Sequence, residues 1–439
     1  MKLDRKAFFR LHSWIGIKLS ILFFVVCFSG TMATLSSELD WLFIPECRAT
    51  PQATQASRNL MAQHIEAAYP EGRIVYWTAM EVPYLCDLVH VMLDGHRTYV
   101  FVNPYTGEVQ GKANLTFRRF FRDLHYFLFI PFQVGHFTVL FFGFLLLFSL
   151  VTALVFYKKW YRKLFDLKMG KGPVVFFRSL HRVVGVWAIP FMFLFSVTGI
   201  WYFLERTNTA GIARTANMQA PTLEHPHVDS AAFVHLSTKI DYDQAIGVAQ
   251  REIPGLVVKT ILPPGGLDKP LYLTGTSEEP LVRFRANRVY LHPLTMEVLG
   301  VQQAEKIPAV TWLNDIADPL HFGYWGGLLT KVIWFFAGLA ISGLVLTGIW
   351  ISLKRKVRRE SQAKKQRMGG WRYVNWGLLG LSTLLMYGYM FTRYRASATT
   401  MLVVTVGWAI CCFLGWYIFV YQLRKQVEKE KPPAQTSPS

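Results

Sequence analysis

Six stretches of this chain are long and nearly free of charge: residues 13–35, 134–157, 184–204, 328–353, 374–392 and 400–422. Each has about 20 residues or more, enough for a helix to cross the roughly 30 Å hydrocarbon layer of a bilayer. Elsewhere the apolar period shortens. "FVNPYTGEVQG" at 101–111 and "YLHPLTMEVLG" at 290–300 alternate around a turn, so each predicts a β-hairpin. The pattern predicts a mainly α membrane protein of about six transmembrane helices, with two α+β segments outside the lipid. The first window is too long for the apolar core of a cleaved leader and lacks a small-residue cleavage site.

The boundaries follow from these windows. Residues 1–35 hold the amino-terminal segment and first span, 36–130 a first outer domain, 131–157 the second span and 158–183 a loop. The third span at 184–204, a second outer domain at 205–327, a fourth span at 328–353 and a loop at 354–373 come next. Spans five and six occupy 374–423, and 424–439 is a charged, then Pro/Ser-rich tail expected to be disordered.

The first four spans come from a duplicated unit of helix, α+β domain and helix. "FFRLHSWIGI" at 8–17 is matched by "FFRSLHRVVGV" at 176–186. Counting from His12 and from His181, a glycine follows at four (Gly16, Gly185) and at eighteen (Gly30, Gly199). After each hairpin comes another Leu-His, in "RDLHYF" with His125 and "DPLHFG" with His321. Both are followed 33 residues later by a lysine, Lys158 or Lys354. A self-similarity of this length sets the architecture.

A formal net charge of +19 raises the question of nucleic acid, and its distribution answers it. Segments 2–18, 158–182, 354–372 and 424–431 carry 5, 8, 9 and 4 basic residues, on alternate flanks of the spans. The two long segments between them are acidic on balance, with 8 basic and 10 acidic residues at 36–130 and 10 and 13 at 205–327. The positive-inside rule then predicts an inner-membrane protein with both termini in the cytoplasm and two periplasmic domains. No nucleic acid is implied. Cys47 and Cys86 share the first outer domain and are candidates for a disulfide, while Cys27, Cys411 and Cys412 lie in apolar spans.

"LHSWIGI", "FSGTMATLSSELDWL", "VNPYTGEVQG", "DLHYFLF" and their second-half counterparts resemble the PepSY-associated transmembrane helix proteins over roughly residues 8–356. That family includes inner-membrane ferric-siderophore reductases holding two b-type haems, and iron-regulated membrane proteins of no settled activity. The resemblance implies PepSY-like outer domains and electron transfer from cytoplasm to periplasm. Its substrate would be a ferric siderophore or another periplasmic Fe(III) chelate.

The residues support that chemistry independently. Histidine at a span end is costly and needs a reason, and axial ligation of haem b supplies one. The duplication pairs His12 with His181 at one face and His125 with His321 at the other, which predicts two haems. His136 lies eleven residues after His125, about three helical turns. It is a competing ligand, although Pro131 is expected to break the helix between them. Val332 stands at its position in the second repeat. Arg10, Arg178 and Arg182 can pair with haem propionates at the cytoplasmic face, or simply mark topology.

His64, His90, His96, His225, His227 and His235 show no zinc spacing, and His292 reads as structural. Trp41, Tyr76, Trp77, Tyr84, Trp312, Tyr324 and Trp325 divide between core and interfacial belt, with "YWGG" at 324–327 a candidate platform for a bulky chelate. No catalytic nucleophile motif, HExxH or dinucleotide fingerprint is present, so the electron donor is expected to be a separate cytoplasmic reductase or a quinol. Two other classes compete. A transporter is disfavoured because the spans show no intramembrane carboxylates or broken helices. A PepSY-type regulatory or protease-inhibitory membrane protein would need neither haem nor a redox spectrum.

Overall fold

The computed structural model describes residues 4–79, 82–223, 230–360 and 370–422. The tail expected to be disordered, and His225 and His227, lie outside the described residues. The chain opens with α1 (Arg5–Lys18) and α2 (Ser20–Thr34), which meet at a 73° bend around Leu19. Helix α3 (Ser36–Phe43) leads to α4 (Arg58–Ala68) and strands β1 (Arg73–Thr78), β2 (Asp87–Leu93), β3 (His96–Val102) and β4 (Val109–Ala113). Helix α5 (Phe117–Phe127) brings the chain back, and α6 (Phe132–Phe156) is the first unbroken candidate span.

The second half follows a similar order, with one more helix before its strands. Helices α7 (Pro173–Trp187) and α8 (Ile189–Arg206) meet at 60°. They are followed by α9 (Ile212–Ala216), α10 (Ser230–Lys239), α11 (Tyr242–Glu252) and strands β5 (Val257–Leu262), β6 (Leu271–Thr276), β7 (Asn287–Leu291) and β8 (Val298–Gln302). Helix α12 (Ala309–Phe322) returns to the long α13 (Gly327–Glu360), and α14 (Trp371–Thr392) and α15 (Ala398–Trp416) complete the chain.

Among the described residues, three helical stretches are long and apolar enough to cross a bilayer, or up to five if each bent pair is one span. That stands against the six read from the sequence. The window at 374–392 does form α14, but Asn375, Ser382, Thr383, Tyr387 and Tyr389 lower its apolarity. The expectation of unbroken spans fails outright. Both breaks fall seven residues after the opening histidine, at Leu19 and Ala188. In the second repeat Pro190 supplies a cause, since it lacks an N–H and crowds the preceding turn. The Pro131 expectation holds: Leu128 and Phe129 take left-handed backbone between α5 and α6.

The eight strands form one sheet in the order β4-β3-β2-β1-β5-β6-β7-β8. The two halves therefore join at β1 and β5, where Trp77 faces Ile261 and Thr78 faces Thr260. Both expected hairpins are present, as β3–β4 and β7–β8. In the first turn the Asn103 side chain accepts from the Tyr105 and Thr106 amides at 2.9 and 3.3 Å. In the second, His292 Nδ1 accepts from Leu294 and Thr295 at 3.3 and 3.1 Å, so His292 is a turn residue.

Met61, Ile65, Trp77, Val89, Tyr242 and Leu273 belong to one buried cluster that crosses the join. Each fully buried aliphatic there contributes about 1.5–3 kcal/mol relative to exposure. The amino termini of α4 and α11 also cap one another. Asp243 accepts from the Arg58 amide at 2.8 Å, and Asn59 Oδ1 accepts from the Tyr242 amide at 2.7 Å. The disulfide candidate is corrected: Cys47 and Cys86 are free, buried thiols. Cys86 Sγ faces the carbonyls of Glu46 and Arg48 at 3.7 and 3.6 Å, and burial pushes both thiols up to about 12.

Candidate functional site

His125 and His321 sit on the short helices α5 and α12 that precede the spans, rather than on the spans themselves. Thr116 and Asp40 fix the start of α5: Thr116 Oγ1 accepts from the Arg119 amide at 3.1 Å, and the Asp40 carboxylate accepts from the Phe117 amide at 2.6 Å. Helix α12 is tied to α8 by Trp201 Nε1 donating to Asn314 at 2.9 Å and Tyr202 OH donating to Asp318 at 2.6 Å. The two imidazoles face each other with ring centres 6.2 Å apart and planes 33° apart.

Hydrogen bonding assigns their protons. His125 Nδ1 lies 2.9 Å from the Val26 carbonyl, which can only accept, so Nδ1 carries the hydrogen. Ser29 Oγ stands 3.4 Å from the same nitrogen. His321 Nδ1 lies 2.8 Å from Thr198 Oγ1, whose own hydrogen goes to the Leu194 carbonyl at 2.8 Å; Nδ1 again donates. Ser29 and Thr198 occupy the same place in the two repeats, seventeen residues after His12 and His181. In both rings Nε2 keeps its lone pair.

Both rings line a cavity of about 530 Å³, and so does His136. Its deep end is apolar, with Phe23, Phe142, Leu146 and Ile341 on the wall. The end nearer the sheet carries Glu205, Arg206, Arg283, Arg285 and Asp318. Gly30 is required where it stands, because a Cβ there would meet His125 Cε1 at 2.8 Å. Its repeat partner Gly199 serves a different contact: α6 and α8 cross at Gly143 and Gly199, where a Cβ on Gly143 would lie 3.2 Å from the Gly199 backbone. His136 donates from Nδ1 to the Tyr126 carbonyl at 3.1 Å and stacks on Phe132.

The other histidine pair has related local chemistry. His12 Nδ1 lies 3.1 Å from the Ser149 carbonyl on α6, and His181 Nδ1 lies 2.8 Å from Thr347 Oγ1 on α13. Each opening histidine thus bonds the closing helix of its own repeat. Arg10 and Arg178 are exposed. Arg182 pairs with Asp166 at 2.8 Å and lies over the Tyr157 ring, so its charge is already engaged.

Sequence reasoning missed the charged end of the cavity. Arg283 pairs with Asp318 at 2.8 Å, while Arg285 pairs with Asp315 at 2.9 Å and Glu205 at 3.5 Å. These partners come from three distant segments, and no local period signals them. The one sequence signal was Glu205-Arg206, for which the first repeat has Ser36-Ser37. Of the aromatic candidates, Trp77 is core, Tyr76 packs on His90, and Trp325 meets Trp334 at 5.9 Å.

Fold and site together define a mainly helical membrane protein with several candidate spans and one eight-stranded sheet. Residues 9–355 match the family described as the PepSY-associated TM region, and the chain belongs to it. It is also similar to the uncharacterized protein PA4219 of Pseudomonas aeruginosa, 27% identical over 144 residues. That match covers 32% of this chain and 36% of the relative's length.

Proposed function

We propose that this chain is a b-type di-haem reductase of the bacterial inner membrane. It would carry electrons from a cytoplasmic reductase or quinol to a periplasmic ferric siderophore or similar Fe(III) chelate, with both termini in the cytoplasm. The observation that carries the reading is the facing His125–His321 pair. Imidazole nitrogens bind metals at about 2 Å, so two rings on opposite sides of one iron have centres about 6 Å apart. The 6.2 Å separation fits that requirement. So does the commitment of each Nδ1 hydrogen to an acceptor, which orients the ring and leaves Nε2 as the ligand atom.

Bound there, haem b would supply reversible one-electron chemistry at iron. The protein's part is to hold the imidazoles, surround the porphyrin with apolar walls and keep the charged cavity end toward the sheet. His12 and His181 would serve a second haem on the cytoplasmic side. Ferrous iron is held far less tightly by siderophores than ferric iron, so reduction would release it.

The test is an absorbance spectrum of the detergent-purified protein, oxidised and dithionite-reduced, with haem counted per chain. A sharp reduced b-type spectrum with about two haems is expected. Replacing His125 or His321 should remove one, and replacing His12 or His181 the other. A colourless protein from cells supplied with haem would overturn the reading. The two symmetric helix breaks favour a transporter as the second reading, since broken helices build substrate sites in transporters. Metal uptake into vesicles by a haem-free preparation would favour it.

A further inference from the structure

We infer that Arg206 anchors the porphyrin carboxylates at the His125–His321 site, so that the macrocycle sits with its propionate edge toward the sheet. The inference rests on the haem reading above and adds an orientation to it. A haem is apolar over most of its area and carries two carboxylates on one edge. The deep end of the cavity, walled by Phe23, Phe142, Leu146 and Ile341, offers those carboxylates no partner. Arg206, Arg283 and Arg285 all line the part of the cavity nearer the sheet.

Two of the three are already engaged. Arg283 is held by Asp318, and Arg285 by Asp315 and Glu205. Among the described residues Arg206 makes no ion pair; its polar contact is Gln133 Oε1 at 3.5 Å. Arg206 is exposed, and its guanidinium lies 5.4 Å from the centre of the Phe132 ring, which in turn stacks on the cavity-lining His136 at 5.3 Å. It ends α8, eight residues beyond the Thr198 that holds His321. Arginine matches a carboxylate with two parallel N–H donors, which lysine cannot do. The first repeat has Ser37 at this place, so one edge of the site carries the anchor.

The experiment compares full-length wild type, Arg206→Gln and Arg206→Lys in detergent. It measures haem per chain, haem loss to excess apomyoglobin, and midpoint potentials by redox titration. Wild type should hold two haems. Arg206→Gln should release one of them about tenfold faster. That variant should also lower one midpoint, because a nearby cation disfavours the ferric state. A tenfold change in the ferrous-to-ferric ratio is about 59 mV for a one-electron couple. Arg206→Lys should keep the midpoint while losing part of the retention.

Apoprotein reloaded with haem dimethyl ester, which lacks free carboxylates, should show no difference in retention between wild type and Arg206→Gln. Unchanged retention and midpoints in Arg206→Gln with two haems bound would overturn the inference alone, leaving Arg206 as an interfacial arginine facing lipid headgroups. Equal acceleration of loss for haem and its dimethyl ester would also overturn it, by showing that Arg206 acts through packing. A wild type that purifies without haem would overturn the parent reading as well.

Discussion

The two repeats meet at the same cavity but treat their surroundings differently. In the first, the acidic residue before the histidine, Asp123, turns away from the cavity to Arg119 at 2.6 Å and to the Tyr394 hydroxyl just beyond α14. Helix α14 reinforces that contact, with Ser382 Oγ donating to the Leu128 carbonyl and Asn375 Nδ2 donating to the Lys18 carbonyl. In the second repeat, Asp318 lines the cavity's charged end with Arg283 and Arg285, and the buried Asp315 pairs with Arg285. The two halves share the imidazole geometry and differ in the carboxylates that flank it. One half is sealed by an appended helix that has no counterpart, and the other supplies the polar mouth. This also gives α14 a role, covering the first repeat, that the sequence left open.

The sharpest way to break this comparison uses the paired glycines. Gly30→Ala places a methyl group 2.8 Å from His125 Cε1, so the ring must move off its axis and one haem should be lost or become five-coordinate. Gly199→Ala meets only the Gly143 Cα, at 3.5 Å, an ordinary contact, and should keep both haems with a wild-type spectrum. Reduced spectra and haem counts of the two variants decide the matter. A normal Gly30→Ala spectrum would remove the claim that the two glycines have different duties.

A smaller effect separates the paired hydroxyls. Thr198→Val deletes the acceptor of the His321 Nδ1 hydrogen and leaves a buried donor unpaired, at a cost of about 1–3 kcal/mol. The ligand also becomes a weaker electron donor, so one midpoint should rise. Thr198→Ser should restore it. Ser29→Ala leaves the His125 bond to the Val26 carbonyl at 2.9 Å intact, so its midpoint should barely move. Redox titration of the three variants checks both halves; equal shifts for Thr198→Val and Ser29→Ala would show that the hydroxyls are equivalent after all.

What could be read in the chain was whatever depends on short-range order. The hairpins, the Pro131 break, the histidine pairs and the small residues at fixed offsets all rest on spacings of a few tens of residues or on direct repetition. The joined sheet was out of reach, because the pairing of β1 with β5 links segments more than 180 residues apart and neither edge announces its partner. The Arg283–Asp318 and Arg285–Glu205 pairs were hidden because no repetition or local period marks partners 35 and 80 residues apart. The break at Leu19 was hidden differently: Lys18 and Ser20 flank it but no proline does, and only its proline-bearing twin at Ala188 hints at it. Thr198 was visible as a residue, but its role depends on the side of α8 that meets α12.

The smallest predicted effect returns to a pair of equivalent positions in the sheet. His90 on β2 pairs with Tyr99, while Thr274, at the same register in the second half, pairs with Arg288. His90 lies between the rings of Tyr76 and Tyr99, its Nδ1 is buried without a partner, and burial, aided by the charges of Arg97 and Arg118, pushes its pKa down to about 3. An unfolded histidine titrates near about 6.5. Between those values the unfolded state binds the extra proton, so stability is full above about 6.5 and falls as pH drops toward the folded value. Partial exposure limits the slope to less than the roughly 1.4 kcal/mol per pH unit of a single fully coupled proton. Thermal unfolding followed by circular dichroism at pH 7.5 and pH 4.5 should therefore show a destabilisation on acidification that His90→Thr reduces. Thr274 shows that the register accepts threonine in the other half, where its hydroxyl pairs with Thr260. If His90→Thr loses as much stability on acidification as the wild type, His90 is not the proton-linked group, and the two halves of the sheet respond to acid alike.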